Sequence, residues 1–122
     1  MKHIVVLAAI CATLAASGCS NFDQSVLAYE KGEHATALWE WRRLARLGYA
    51  PAQNNLAIAY HKGAGVPRDL VEAYKWAVLA TARAYQPALD NREAIADEMT
   101  PSQIAAARQL VRDWLMDYQY WR

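Results

Sequence analysis

Two short strings of this sequence occur twice, and that recurrence limits the chain to a narrow set of architectures. Ala28-Tyr29-Glu30-Lys31-Gly32 returns as Ala59-Tyr60-His61-Lys62-Gly63, and Tyr49-Ala50-Pro51-Ala52 returns as Tyr85-Gln86-Pro87-Ala88, at offsets of 31 and 36 residues. Periods of that length mark supersecondary units that bury their apolar faces on one another, the pattern of a helical solenoid. From Phe22 onward apolar residues recur at helical rather than alternating spacing, and no β-branched, period-two run interrupts them. The predicted fold class is therefore all-α, with stacked antiparallel helix pairs forming a short solenoid.

Six helices are expected, and their ends carry chemical punctuation. The first runs from about Asp23 to Lys31, the second from about Glu33 to Leu47 and the third from Pro51 to Lys62. They stop at Gly32, Gly48 and Gly63, each able to take a positive φ without strain. Proline is tolerated in a first helical turn, where the missing N–H has no intrahelical partner, so Pro51 and Pro87 mark starts. Asp69 is expected to cap the fourth helix in a reciprocal capping box with Glu72, after the turn Gly63-Ala64-Gly65-Val66-Pro67-Arg68. Ala73, Trp76, Ala77, Ala80 and Ala84 would form its packing stripe, small residues that let a neighbouring backbone come close. The fifth helix ends before Thr100. Thr100-Pro101-Ser102-Gln103 then opens the sixth with an N-cap, a proline at the first helical position and a glutamine at the third.

The N-terminus belongs to a different part of the protein's history. Lys2 and His3 precede an apolar run from Ile4 to Ala16, then Ala16-Ser17-Gly18-Cys19. The run is about thirteen residues, short of the roughly 20 needed to span a bilayer, and reads as a secretory signal over residues 1–18. Small residues before a cysteine resemble a lipobox, in which the Cys19 thiol receives a diacylglyceryl group and becomes the mature N-terminus; simple cleavage near Gly18 with a free thiol is the alternative. Ser20 after the cysteine resembles lipoproteins sent on to the outer membrane, so the expected location is the cell envelope, facing the periplasm, with a soluble periplasmic or secreted form as the alternative. Residues 19–22 would form a short tether and 23–122 the repeat domain. Processing would remove Cys11 and leave no disulfide, and loss of Lys2 would leave 12 of 13 basic residues against 12 acidic ones. A neutral mature chain has no broad basic field to attract nucleic acid.

The ordered series Ala45-Arg46-Leu47-Gly48, Ala52-Gln53-Asn54-Asn55-Leu56, Ala59 through Asp69 and Ala73-Tyr74-Lys75-Trp76 resembles the Sel-one-like repeat (SLR) family, relatives of the tetratricopeptide repeats. Met99-Thr100-Pro101-Ser102-Gln103-Ile104-Ala105 with Trp114 resembles the capping helix of bacterial members. The resemblance covers about residues 26 to 115. It departs from the family pattern at the tight Gly32-Glu33 link and at Ala84, where the repeat normally carries glycine. It implies a tetratricopeptide-like solenoid that serves as an adaptor or assembly module.

Candidates for chemistry are few. His34 and His61 lack the spacing and cysteine partners of a metal site, and the glycines of residues 63–65 lack the Lys-Ser/Thr ending of a phosphate loop. No serine sits in a nucleophile elbow, and Glu40, Asp90, Glu93, Asp97 and Glu98 fall at spacings expected of solvated helix faces. The reading is a non-enzyme without cofactor or metal.

Binding is better supported, since stacked pairs present a groove lined by the first helix of each pair. Ala52, Leu56, Ala59 and Tyr60 would pack the third helix, leaving Asn54, Ile58 and His61 at i, i+4 and i+7. The repeat offsets place Asp23, Leu27 and Glu30 in that role on the first helix, and Asp90, Ala94 and Asp97 on the fifth. Such a mildly acidic stripe with apolar centres suits a partner segment carrying basic residues. Leu110, Trp114, Tyr118 and Trp121 recur at helical intervals and would seal the end of the solenoid, with Tyr120 and Trp121 as a partner or lipid contact in the alternative. The expected function is a membrane-tethered adaptor whose partner is another envelope protein or peptide segment. Rival readings are a peptidoglycan- or glycan-binding envelope protein and a weak hydrolase, which would need a buried carboxylate pair. The lipid assignment has a direct check: Cys19→Ala should abolish incorporation of labelled fatty acid and release the protein from the membrane fraction, whereas label retained in the variant would refute it.

Overall fold

The computed structural model describes residues 20–120. Among them run six helices and no strand: α1 Ser20–Glu30, α2 His34–Arg46, α3 Ala50–Lys62, α4 Leu70–Ala82, α5 Pro87–Asp97 and α6 Pro101–Tyr120. The all-α helical-repeat class expected from the sequence is the one observed. The expected signal segment, Cys19 and Trp121 lie outside the described residues. No helix among the described residues is long and apolar enough to cross a membrane. α1 begins three residues before Asp23, which falls within its first turn, where a carboxylate meets the positive end of the helix dipole.

The chain divides into two compact units, one up to Glu40 and one from Trp41 on, with the residues of α2 shared between them. In the first, Ser25, Ala37 and Leu38 are buried, the Ser25 hydroxyl donates to the Phe22 carbonyl at 2.5 Å, and the Tyr29 and His34 rings lie 4.4 Å apart. Burial raises the Tyr29 phenol above its ordinary range.

The second unit is organised by α4, which packs on α3, α5 and α6. Its Ala73, Ala77 and Ala80 are fully buried, and Tyr74, Trp76 and Leu79 fill the space between neighbours. Opposite them stand Ala52, Leu56, Ala57 and Ala59 of α3, Ala88 and Ile95 of α5 and Ala107 of α6, all fully buried. Small side chains on both sides allow the close backbone approach that dispersion rewards. From α6, Trp114 meets Trp76 edge-on at 6.3 Å and stacks on Tyr118 at 4.8 Å. Trp114 thus packs on α4 and Tyr118 on Trp114, whereas Tyr120 is exposed.

Helix ends follow the expected punctuation with two corrections. Thr100 and Gln103 make both bonds of a capping box, Thr100 N to Gln103 Oε1 at 2.9 Å and Gln103 N to Thr100 Oγ1 at 3.2 Å. Asp69 makes only one: its side chain accepts from Glu72 N at 3.1 Å. The return bond is absent because the Asp69 N–H is already spent on the Tyr60 carbonyl at 3.0 Å, closing the turn onto α3, while Glu72 pairs with Lys75 at 2.7 Å.

The second correction concerns Ala84, which does not belong to the α4 stripe. α4 stops at Ala82, and Ala84 adopts φ 60°, the one positive φ outside glycine among the described residues. Its N–H bonds Thr81 O at 2.9 Å and that of Tyr85 bonds Ala80 O at 3.2 Å. This paired closure also ends α1 at Gly32 and α2 at Gly48, so alanine stands where the conformation calls for glycine. A left-handed L-residue costs about 1–2 kcal/mol. Part of this is offset because glycine loses more backbone freedom on folding. Ala84→Gly should therefore stabilise the fold by about 0.5–1 kcal/mol, seen as a melting temperature higher by a few degrees; an unchanged or lower value would show that the strain is relieved locally.

Candidate functional site

Packing against the same helix forces α3 and α5 to run side by side, and polar side chains join them at two levels. Asn91 Nδ2 donates to Asn54 Oδ1 at 2.9 Å, and His61 Nε2 contacts Glu98 Oε1 at 2.7 Å. Both partners step forward by seven residues, so the helices are parallel and the two rungs stand two turns, roughly 10 Å, apart.

The rungs differ in character. Asn54 is buried and the amide pair is neutral. Glu98, just beyond the end of α5, is exposed and engaged at both oxygens, by His61 from α3 and by Arg68 Nη2 from the turn before α4. Arg68 Nε also donates to the His61 carbonyl at 2.9 Å, tying the turn to the last turn of α3. The hydrogen bond from His61 is the main cause that holds the Glu98 carboxyl below its ordinary range; desolvation opposes it, and the Arg68 guanidinium adds to the lowering. This is a clasp between helix ends, its carboxylate oxygens occupied by groups of the chain itself.

The turn that feeds Arg68 into this cluster depends on Gly63. At φ 70° a Cβ there would lie 3.2 Å from Arg68 Cβ and 3.3 Å from its backbone nitrogen. Glycine thus serves both the left-handed conformation and the close approach of residue 68.

The residues expected to line a groove fall in three places. Asp23, Leu27 and Glu30 lie on α1 in the first unit, all exposed. On α3, Asn54 is buried in the amide rung, Ile58 is half-buried and His61, also half-buried, belongs to the clasp. On α5, Asp90, Ala94 and Asp97 form one exposed stripe. The second unit therefore brings Ile58 and His61 onto a helix beside the acidic stripe of α5. Arg68, Asn91 and Glu98 were not among the expected groove residues. The repeat offset of 36 pointed to residues 90 and 97, whereas the contacts form one position further along. Gln53, equally unmarked, is fully buried and donates to the Ala45 carbonyl at 3.1 Å, binding α3 to the end of α2.

A solved structure of similar fold is that of a protective antigen present in uropathogenic Escherichia coli strains and displaying an SLR fold. The likeness covers 85% of this chain at 27% identity with a TM-score of 0.73. The chain has the Sel-one-like repeat fold. It spans 24% of the length of that antigen. No family model and no curated protein matches the chain. Within the SLR fold, the glycine turn of residues 63–69 joins the two helices of the α3–α4 repeat, and the Arg68 it carries reaches the end of the next repeat's first helix.

Because the Glu98 carboxyl is held low in the folded state, its contribution is complete above the ordinary value of 4.5 and is lost as pH falls through the lowered folded-state value. The melting-temperature advantage of the native protein over Glu98→Gln should shrink as pH is lowered below 4.5; a gap unchanged to the acid limit would mean that the charge contributes nothing.

Proposed function

We propose that the chain is a protein-interaction module of the bacterial cell envelope, tethered to the membrane through Cys19 and holding a segment of a partner protein along α3 and α5. The observation that carries the reading is the surface beside the two rungs. Asp90, Ala94 and Asp97 line one exposed stripe of α5, and Ile58 and His61 lie part-exposed on α3. An apolar centre between carboxylates suits an apolar residue flanked by Lys or Arg, whose long stems cover apolar surface while their charged ends reach the acids. Repeat folds support this use because a row of equivalent helices presents an extended surface without building a deep pocket. Catalysis has no comparable support, since Glu98 and His61 already answer each other and Arg68.

The tether carries a geometric consequence. α1 begins at Ser20, next to the proposed lipidated residue, so little linker separates the anchor from the folded chain. The partner is accordingly an envelope protein held at or close to the membrane surface.

Photo-crosslinking residues placed at Ile58 and Ala94 in intact cells should capture one protein in common, and Asp90→Lys combined with Asp97→Lys should reduce that capture about tenfold or more. The proposal fails if the same protein is captured equally well from Gln109 or Arg112 on α6, or if the charge reversal leaves capture unchanged.

A further inference from the structure

In the first unit, α1 and the start of α2 border a cleft of about 340 Å³ lined by Asn21, Gln24, Ser25, Thr36, Trp39 and Glu40. Trp39 is 66% exposed, whereas Trp41 and Trp76 are buried. An indole left in water beside a cleft forgoes the burial that a tryptophan ordinarily gains, and offers a flat apolar face with one N–H donor at its edge.

The other lining groups narrow what that face can receive. Asn21, Gln24 and Thr36 make no side-chain hydrogen bond with another described residue. A carboxamide and a hydroxyl each both donate and accept, so they can meet a ligand hydroxyl in either role. Among the described residues that line the cleft none is a cation. A phosphate or carboxylate ligand would find no counter-charge among the described lining residues. A cationic ligand would find a single aromatic wall in place of a cage. A neutral polyhydroxylated ring satisfies the whole set, with its C–H face on the indole and its hydroxyls among the amides.

We propose that this cleft binds a pyranose ring of a neutral glycan, stacked on Trp39 and hydrogen-bonded by Asn21, Gln24 and Thr36. The site shares no residue with the surface proposed on α3 and α5. A glycan and a protein partner could then be held by one chain, each on its own unit.

The test is a titration of the purified protein, followed by the NMR signals of the indole N–H groups and of the Asn21 and Gln24 side-chain amides. The probes are cellotriose, tri-N-acetylchitotriose, trigalacturonic acid and choline. Saturable shifts at Trp39, Asn21 and Gln24 with at least one neutral trisaccharide are expected, with trigalacturonic acid binding more weakly. Trp39→Ala should weaken binding about tenfold or more and Trp39→Phe less, with both variants melting like the parent because the side chain is largely in solvent. The proposal is overturned if neither neutral trisaccharide gives saturable shifts, or if choline or trigalacturonic acid binds as tightly. It is overturned equally if the shifts centre on Trp76 or Trp114, or if Trp39→Ala binds as the parent does.

Discussion

The alanine face of α4 is the constraint on which the second unit rests. With Ala73, Ala77 and Ala80 fully buried, three neighbouring helices approach α4 at a separation set by methyl groups. Two of those neighbours, α3 and α5, thereby lie parallel at a fixed register, and side chains as short as two asparagines can bond across the gap. The exposed stripe of α5 and the part-exposed row of α3 then occupy neighbouring helices as a consequence of what α4 buries.

Much of this was legible in the sequence because helix ends are chosen locally. Gly32, Gly48 and Gly63 stop helices through a backbone angle that glycine tolerates, and Thr100 with Gln103 starts one through bonds within four residues. The SLR resemblance placed Ala84 at a glycine position, and the structure supplies the reason in its positive φ. What could not be read locally was any bond whose partner lies in another repeat. Asp69 and Glu72 carry the letters of a capping box, yet the Asp69 N–H goes to Tyr60, a contact that exists only once the turn has closed.

Asn54 illustrates the same limit at the candidate site. Spacing along α3 put it on the face away from Ala52, Leu56 and Ala59, but α3 meets neighbours on more than one side, and a helix so enclosed has more than one packed face. A polar residue there is retained by a partner, and Asn91 supplies it from 37 residues on. Arg68 and Glu98 escaped notice for a related reason: each reads as an ordinary surface charge, and only the juxtaposition of two helix ends with a turn makes them a cluster.

The two rungs between α3 and α5 answer differently to their surroundings. The amide rung carries no net charge and one of its members is buried, so neither salt nor acid reaches it readily. The rung at the other end is an exposed ionic contact, which dissolved ions screen and acid discharges. The contact between the two helices therefore has one margin indifferent to the ionic medium and one margin that answers to it.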